Sequence, residues 1–246
     1  MIKEKDFAPR YLLGLRLCVK QKKTLILFAK YRLSRSFHLI ILGLLLSLLP
    51  SCSPNYLKGY TKLENTDLIK SAVFDNNFKK ATYKTKLNLM GNELSGILLI
   101  KKTSESEFRF VFISEIGIKY FDLGIKPTVD TYLETTHYLM TALNRGNVEQ
   151  ILFDDFNKLI KPNSANQEQK FFGNKTTGII AFELDESNSK SLYFMDNETH
   201  NTEKIIWKSK ISGKSQILLS NYKNNIPSKV EIENKKYGLG ITMKQL

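Results

Sequence analysis

The chain has 246 residues, a formal net charge of +13, 42% hydrophobic residues, two cysteines and three histidines. Residues 1–51 hold ten Lys and Arg against two Asp and Glu, a charge of +8, and residues 52–246 hold 27 against 22, a charge of +5. The second part mixes both signs along its length, which argues against the clustered basic patch of a nucleic-acid binder, and histidines that stand alone, with no Cys or carboxylate at ligand spacing, argue against zinc.

The first 30 residues contain two short apolar patches, Tyr11–Leu17 and Thr24–Ala29, separated by Lys20, Lys22 and Lys23. Two readings stay open for them: an extended targeting region, or a translation start near Leu33 that leaves residues 1–30 outside the protein. Arg32 and Arg35 then precede the apolar run Phe37–Pro50. The run is shorter than the roughly 20 residues a membrane-spanning helix needs. It is apolar on all sides, which argues against a core helix with one polar face. Charge, apolar run and small residue follow each other as in a secretory signal peptide, with the cut between Ser51 and Cys52.

Leu49, Ser51 and Cys52 resemble the lipobox of bacterial lipoproteins. The resemblance implies that the Cys52 thiol takes a diacylglyceryl group, that residues 1–51 are cleaved away, and that the new amino terminus is acylated. Lipid chains contribute about 0.8 kcal/mol per buried CH₂, and stable anchoring takes more than one chain, a condition that a multiply acylated Cys52 meets. Cys18 leaves with the leader, so the remaining chain has no free thiol and no disulfide, and its core alone must hold the fold. Its 195 residues suffice for one such core. Residues 52–60 are the lipidated tether and residues 61–246 a single domain. Ser53 stands where many inner-membrane lipoproteins carry aspartate, and no acidic run follows. The resemblance therefore implies the periplasmic face of the outer membrane, with the inner membrane as the other outcome.

Beyond the tether, Leu68, Ile69, Ala72, Val73 and Phe78 fall at near-helical spacing, which predicts a helix over Glu64–Phe78 with Asn65 or Thr66 as its cap. The period then changes to two. Strands are predicted over Ala81–Met90, Glu93–Lys102, Phe108–Ile113 and Ile118–Leu123, with Gly91-Asn92 and Gly117 at the turns. Short connections predict antiparallel pairing. Thr131–Leu143 is open between strand and helix. Asn147–Ile160 predicts a second helix, with Asn147 as cap, Ile151, Leu152, Phe156, Leu159 and Ile160 as its apolar face, and Lys158 near its negative end. After the polar loop Pro162–Gln169, strands follow over Phe171–Asn174, Gly178–Leu184, Ser191–Met195, Lys204–Ile211, Ser215–Tyr222, Lys229–Asn234 and Leu239–Met243. The sum is roughly ten strands and two helices: an α+β chain, mainly β. Several strands are apolar on both faces, as at Ile97–Ile100, which suggests a curved sheet that wraps helices or encloses a pocket.

No catalytic motif appears. Asp154-Asp155 on the second helix reads as a solvated face rather than an acid–base pair. Gly238-Leu239-Gly240 lacks the third glycine and the helix of a phosphate loop and reads as a strand start. Neither a metal nor a cofactor is expected, nor an enzyme.

The order signal, helix, meander, helix, meander resembles the LolA/LolB lipoprotein-carrier superfamily. Local matches are Gly96-Ile97-Leu98-Leu99-Ile100-Lys101, Glu115–Asp122 and Ile226–Ile232. The resemblance implies an incomplete antiparallel β-barrel, a half-barrel, with helices closing its open side around an apolar space for acyl chains. The expected function is a membrane-anchored protein that binds lipid or lipoprotein acyl chains. Leu98, Ile100, Phe108, Phe110, Phe112 and Trp207 are its candidate cavity lining, and either face of these strands can point inward. The alternative is a structural or assembly lipoprotein, its half-barrel filled by its own side chains and its outer surface binding envelope proteins.

Overall fold

The computed structural model describes residues 56–63, 73–74, 77–104, 107–128, 131–160, 170–185 and 189–246. The leader, the signal segment, Ser51, Cys52 and most of the expected helix Glu64–Phe78 lie outside the described residues. Three members of that helix, Val73, Phe74 and Phe78, are described and buried.

The strands are β1 (Thr61–Lys62), β2 (Lys80–Leu89), β3 (Asn92–Lys102), β4 (Phe108–Ile113), β5 (Lys119–Pro127), β6 (Tyr132–Leu139), β7 (Lys170–Asn174), β8 (Ile179–Asp185), β9 (Ser189–Asp196), β10 (Thr202–Ser209), β11 (Gly213–Lys223), β12 (Ile226–Asn234) and β13 (Leu239–Gln245). A single helix among the described residues, α1 (Val148–Ile160), falls between β6 and β7. The thirteen strands form one antiparallel sheet in the order β1-β7-β8-β9-β10-β11-β12-β13-β2-β3-β4-β5-β6. The sheet is open, with β1 and β6 at its edges. Thirteen strands exceed the ten or so expected. The ambiguous stretch after Thr131 is strand β6, and Thr61-Lys62 adds a short edge strand against β7.

Each meander follows from its turns. At the β2–β3 hairpin Met90 (φ 51°) and Gly91 (φ 87°) both take the left-handed conformation, as do Asn224 and Asn225 between β11 and β12. Two consecutive positive φ angles give a tight turn whose twist matches that of the strands, which is why Gly and Asn stand there. The two meanders join through β13 and β2, in register at Ile241 with Leu87 and Met243 with Thr85. That pairing links the last strand to the second, and no local pattern announces it.

The strands curl around α1. One side of the helix bonds β6: Gln150 Nε2 donates to Glu134 (3.3 Å), Asn157 Nδ2 donates to Glu134 (2.8 Å), and Thr136 pairs with Glu149. Another side bonds β9 and β10: Lys158 Nζ donates to Ser189 Oγ (2.9 Å) and Ser209 Oγ donates to Asp154 (3.1 Å). Between β10 and β6 lie eight strand steps, about 38 Å if flat, whereas a helix is about 10–12 Å across. One helix reaches both strands because the sheet bends around it, so α1 is buried on most of its circumference. Val148, Ile151, Leu152, Phe153, Phe156, Leu159 and Ile160 are all buried. The described elements all belong to one unit, Leu57–Leu246, which carries its own core.

Candidate functional site

The alternation along β2 to β5 resolves which face is inward. Phe108, Phe110 and Phe112 are buried, whereas Arg109, Val111 and Ile113 are half-buried on the outer face. In register with them, Leu98 pairs with Phe112 and Ile100 with Phe110 on one side, and Phe121, Leu123 and Ile125 follow on the other. These cross-strand neighbours form an aromatic and aliphatic lattice on the concave face. Trp207 lies on the same face but six strands away, beside Ser191 and Ser215. All six candidate lining residues are thus buried on one face, five of them together and Trp207 apart.

The middle of the lattice is covered by α1. The Phe110 ring stacks on Phe156 at 4.4 Å, and Phe121 meets the same ring at 5.8 Å. Towards the start of β2 and the end of β3 the cover changes to Phe74 and Phe78. Phe78 packs on Phe74 at 4.5 Å and stacks on Phe108 at 6.2 Å. The Phe74 backbone N–H donates to the Leu159 carbonyl (3.0 Å), which satisfies one of the open acceptors at the end of α1.

A groove of about 700 Å³ opens at this end. Phe78 lines it with Asn77, Lys79, Lys80, Lys101, Lys102, Thr103 and Ser104. Lys80 is directly opposite Lys101 in the ladder, on the face that Arg109 shares, and the Lys102 N–H donates to the Lys79 carbonyl (2.9 Å). The Lys102 ammonium lies 5.9 Å above the Phe108 ring. Lys79, Lys80 and Lys101 make no ion pair among the described residues. Glu107, the described acid on the β3–β4 connection, is turned towards Gly124 and His137 of the outer face. The sequence reading missed this site, although two Lys-Lys pairs at the facing ends of consecutive antiparallel strands were a sufficient signal for it.

The expected solvated face at Asp154-Asp155 is corrected. Asp154 is half-buried and bonded to Ser209, and Asp155 is fully buried. Asp155 lies four residues from both Ile151 and Leu159, so helical spacing places it on the apolar stripe. Neither of its carboxyl oxygens has a hydrogen-bond partner among the described residues; the same holds for Ser191 Oγ and Trp207 Nε1. Burial, and then the neighbouring Asp154, push the Asp155 carboxyl well above its ordinary range, against the opposing pull of Lys158. Lys158 is buried as well, reaching Ser189 instead of solvent.

On the outer face Asp122 is buried under a fork from Arg109, whose Nε and Nη2 donate at 2.6 and 2.9 Å, and Lys119 Nζ donates at 3.0 Å. Burial raises the Asp122 carboxyl, but the hydrogen bonds and charges of Arg109 and Lys119 outweigh it and hold the group below its usual range. The ion-pair cluster ties β4 to β5 behind the lattice. Among the described residues no group of His, Cys, Asp and Glu is placed to hold a metal ion.

Three solved structures are similar to the chain, each covering 68% of it. One is a domain described as an outer membrane lipoprotein-sorting protein from Vibrio parahaemolyticus (9% identity, 82% of that chain, TM-score 0.48). Another is a LolA superfamily protein from Nitrosomonas europaea (10%, 83%, TM-score 0.41). The third is a DUF1329 family protein from Desulfovibrio piger (8%, 84%, TM-score 0.45). No residue role transfers at these identities. No family model matches the chain, and no curated protein matches it.

Proposed function

We propose that this chain is a bacterial envelope lipoprotein, anchored by lipid on Cys52 at the periplasmic face of the outer membrane, that binds acyl chains of lipids or lipoproteins against its concave face. The observation that carries the reading is the continuity of that face with solvent. The lattice of Leu98, Ile100, Phe108, Phe110 and Phe112 continues into Phe78, which is at once a core residue and a wall of the open groove. An acyl chain enters beside Phe78 and Phe108 and lies between the sheet and its cover of helix. Desolvation drives it, at about 0.8 kcal/mol per methylene. α1, with Phe74 and Phe78 beside it, closes the half-barrel, and α1 yields where Phe156 lies on Phe110.

Native mass spectrometry of residues 57–246 purified from cells, followed by organic extraction, tests this. Lipid that accompanies the protein supports the reading. A protein that arrives empty and ignores added acyl chains refutes it.

The Phe110–Phe156 contact favours a second reading, in which the half-barrel is filled by its own helix and the protein acts as a scaffold for envelope partners. On that reading added acyl chains leave the thermal midpoint unchanged.

A further inference from the structure

We propose that Ser191 and Trp207 form an ester site, two buried donors on the concave face that hold the ester group of a bound acyl chain. The proposal rests on the acyl-chain reading and names the group at the polar end of the chain.

Three observations carry it. First, both donors are buried and unused. Ser191 and Trp207 are directly opposite each other on β9 and β10, at positions whose Cβ atoms stand about 4.5–5.5 Å apart. Both side chains are buried, and neither Ser191 Oγ nor Trp207 Nε1 has a hydrogen-bond partner among the described residues. A buried donor left unpaired is costly, and two side by side call for an acceptor. The same row is satisfied one strand further on. Ser215, opposite Trp207 on β11, accepts from Asn234 Nδ2 (2.7 Å), which also donates to the Ser212 carbonyl (2.8 Å). The need is therefore confined to β9 and β10.

Second, the pair faces α1. Ser189 and Ser209, the next opposed pair on that face, bond Lys158 and Asp154 of the helix, and on the other side of Ser191 the Tyr193 hydroxyl donates to the Lys158 carbonyl (3.4 Å). The turn of α1 over residues 154–158 thus covers the pair, and a chain lying between sheet and helix passes it. That turn holds Asp154, Asp155 and Lys158, so it offers no excess of positive charge to a free carboxylate. A neutral ester suits it, because its carbonyl oxygen accepts two hydrogen bonds and an indole N–H can only donate. Third, an apolar floor leads there. Ile205, Ile217, Ile232, Ile241 and Leu87 are opposed one to the next from β10 to β2, all buried. Ile205 stands two residues from Trp207 on the same face, and β2 pairs with β3, where the lattice of Leu98 and Ile100 begins. A chain laid along this floor meets hydrocarbon up to Ile205 and unpaired donors at Trp207 and Ser191.

The test titrates residues 57–246 by calorimetry with palmitoyl lysophosphatidylcholine and with its hexadecyl ether analogue, below their micellar concentrations. The two lipids share headgroup and chain and differ in the ester carbonyl. Wild type is expected to bind the ester about tenfold more tightly, the effect of one or two modest hydrogen bonds. Trp207 is the single tryptophan of the chain, so its emission reads the site directly and should change when the ester binds. S191A and W207F are expected to lose most of the preference and keep their affinity for the ether. S191A removes an unpaired hydroxyl from the core, so its thermal midpoint should be no lower than that of wild type, and it decides the matter if W207F fails to fold. S215A removes a hydroxyl that Asn234 already holds and should keep the preference. Equal binding of the two lipids by wild type, an emission that ignores bound ester, or an unchanged preference in S191A overturns the ester site and leaves the acyl-chain reading standing. If neither lipid binds, the acyl-chain reading falls and the ester site falls with it.

Discussion

Replacing Asp155 by Asn is expected to stabilise the protein at neutral pH and to flatten its pH dependence. The carboxyl is fully buried on the apolar stripe of α1, without a hydrogen-bond partner among the described residues. Its folded value is raised, first by burial and then by Asp154, with Lys158 opposing. An unfolded aspartate titrates near 3.9. Between that value and the raised folded one, the native state holds a proton that the unfolded state has released. The contribution of Asp155 is therefore fully present below about pH 4 and is lost as pH rises towards the folded value, by about 1.4 kcal/mol per pH unit. Against the roughly 5–15 kcal/mol that holds a domain together, such a slope is a sizeable effect. Asn keeps the shape and cannot ionise, so the variant escapes the loss. Urea unfolding of residues 57–246 at pH 4.5, 5.5, 6.5 and 7.5, at fixed salt, measures it. Glu134 and Asp122 titrate in both proteins and cancel in the difference. The stability gain of the Asn variant should grow with pH. A gain that stays constant, or a variant less stable at pH 7.5 than at pH 4.5 relative to wild type, refutes the reasoning.

Phe110→Ala empties the space under Phe156 and should cost about 3–5 kcal/mol, measured by urea unfolding at pH 5. Asp122→Ala should cost about 1–2 kcal/mol after allowance for the part-exposed Arg109 and Lys119. The Asp122 carboxyl is held low, so its contribution is present above about pH 3.9 and is lost as pH falls through its folded value. The wild-type and Ala proteins should accordingly converge in acid. Gly96→Ala places a Cβ 2.0 Å from the Ile113 carbonyl oxygen, a backbone atom that cannot yield cheaply, and should cost at least about 2 kcal/mol. Gly240→Ala meets nothing within 4 Å, and restricting its unfolded chain should leave stability unchanged or about 0.5 kcal/mol higher. Thermal unfolding separates the two glycine variants at once, and equal midpoints contradict the packing at Gly96.

How far the sequence reaches can be judged residue by residue. The helix over Asn147–Ile160 was legible because its stripe, cap and proline all agree, and it forms as Val148–Ile160. The strands of the first meander were legible because alternation and turn residues are local. Their facing was not. In β3, Ile97 and Leu99 are as apolar as Leu98 and Ile100, and the choice is made by neighbours such as Phe110 and Phe112 that only register supplies. The β13–β2 pairing was out of reach for the same reason, since it joins strands more than 140 residues apart. Asp155 is the instructive case. Charge suggested solvent, but its spacing from Ile151 and Leu159 placed it on the buried stripe, and for an isolated carboxyl on a wrapped helix the spacing decides. The lysine groove follows the same logic in reverse. Each Lys-Lys pair alone reads as a solvated strand end, and only the hairpin register shows that Lys80 stands across from Lys101 and that both pairs border one groove with Phe78.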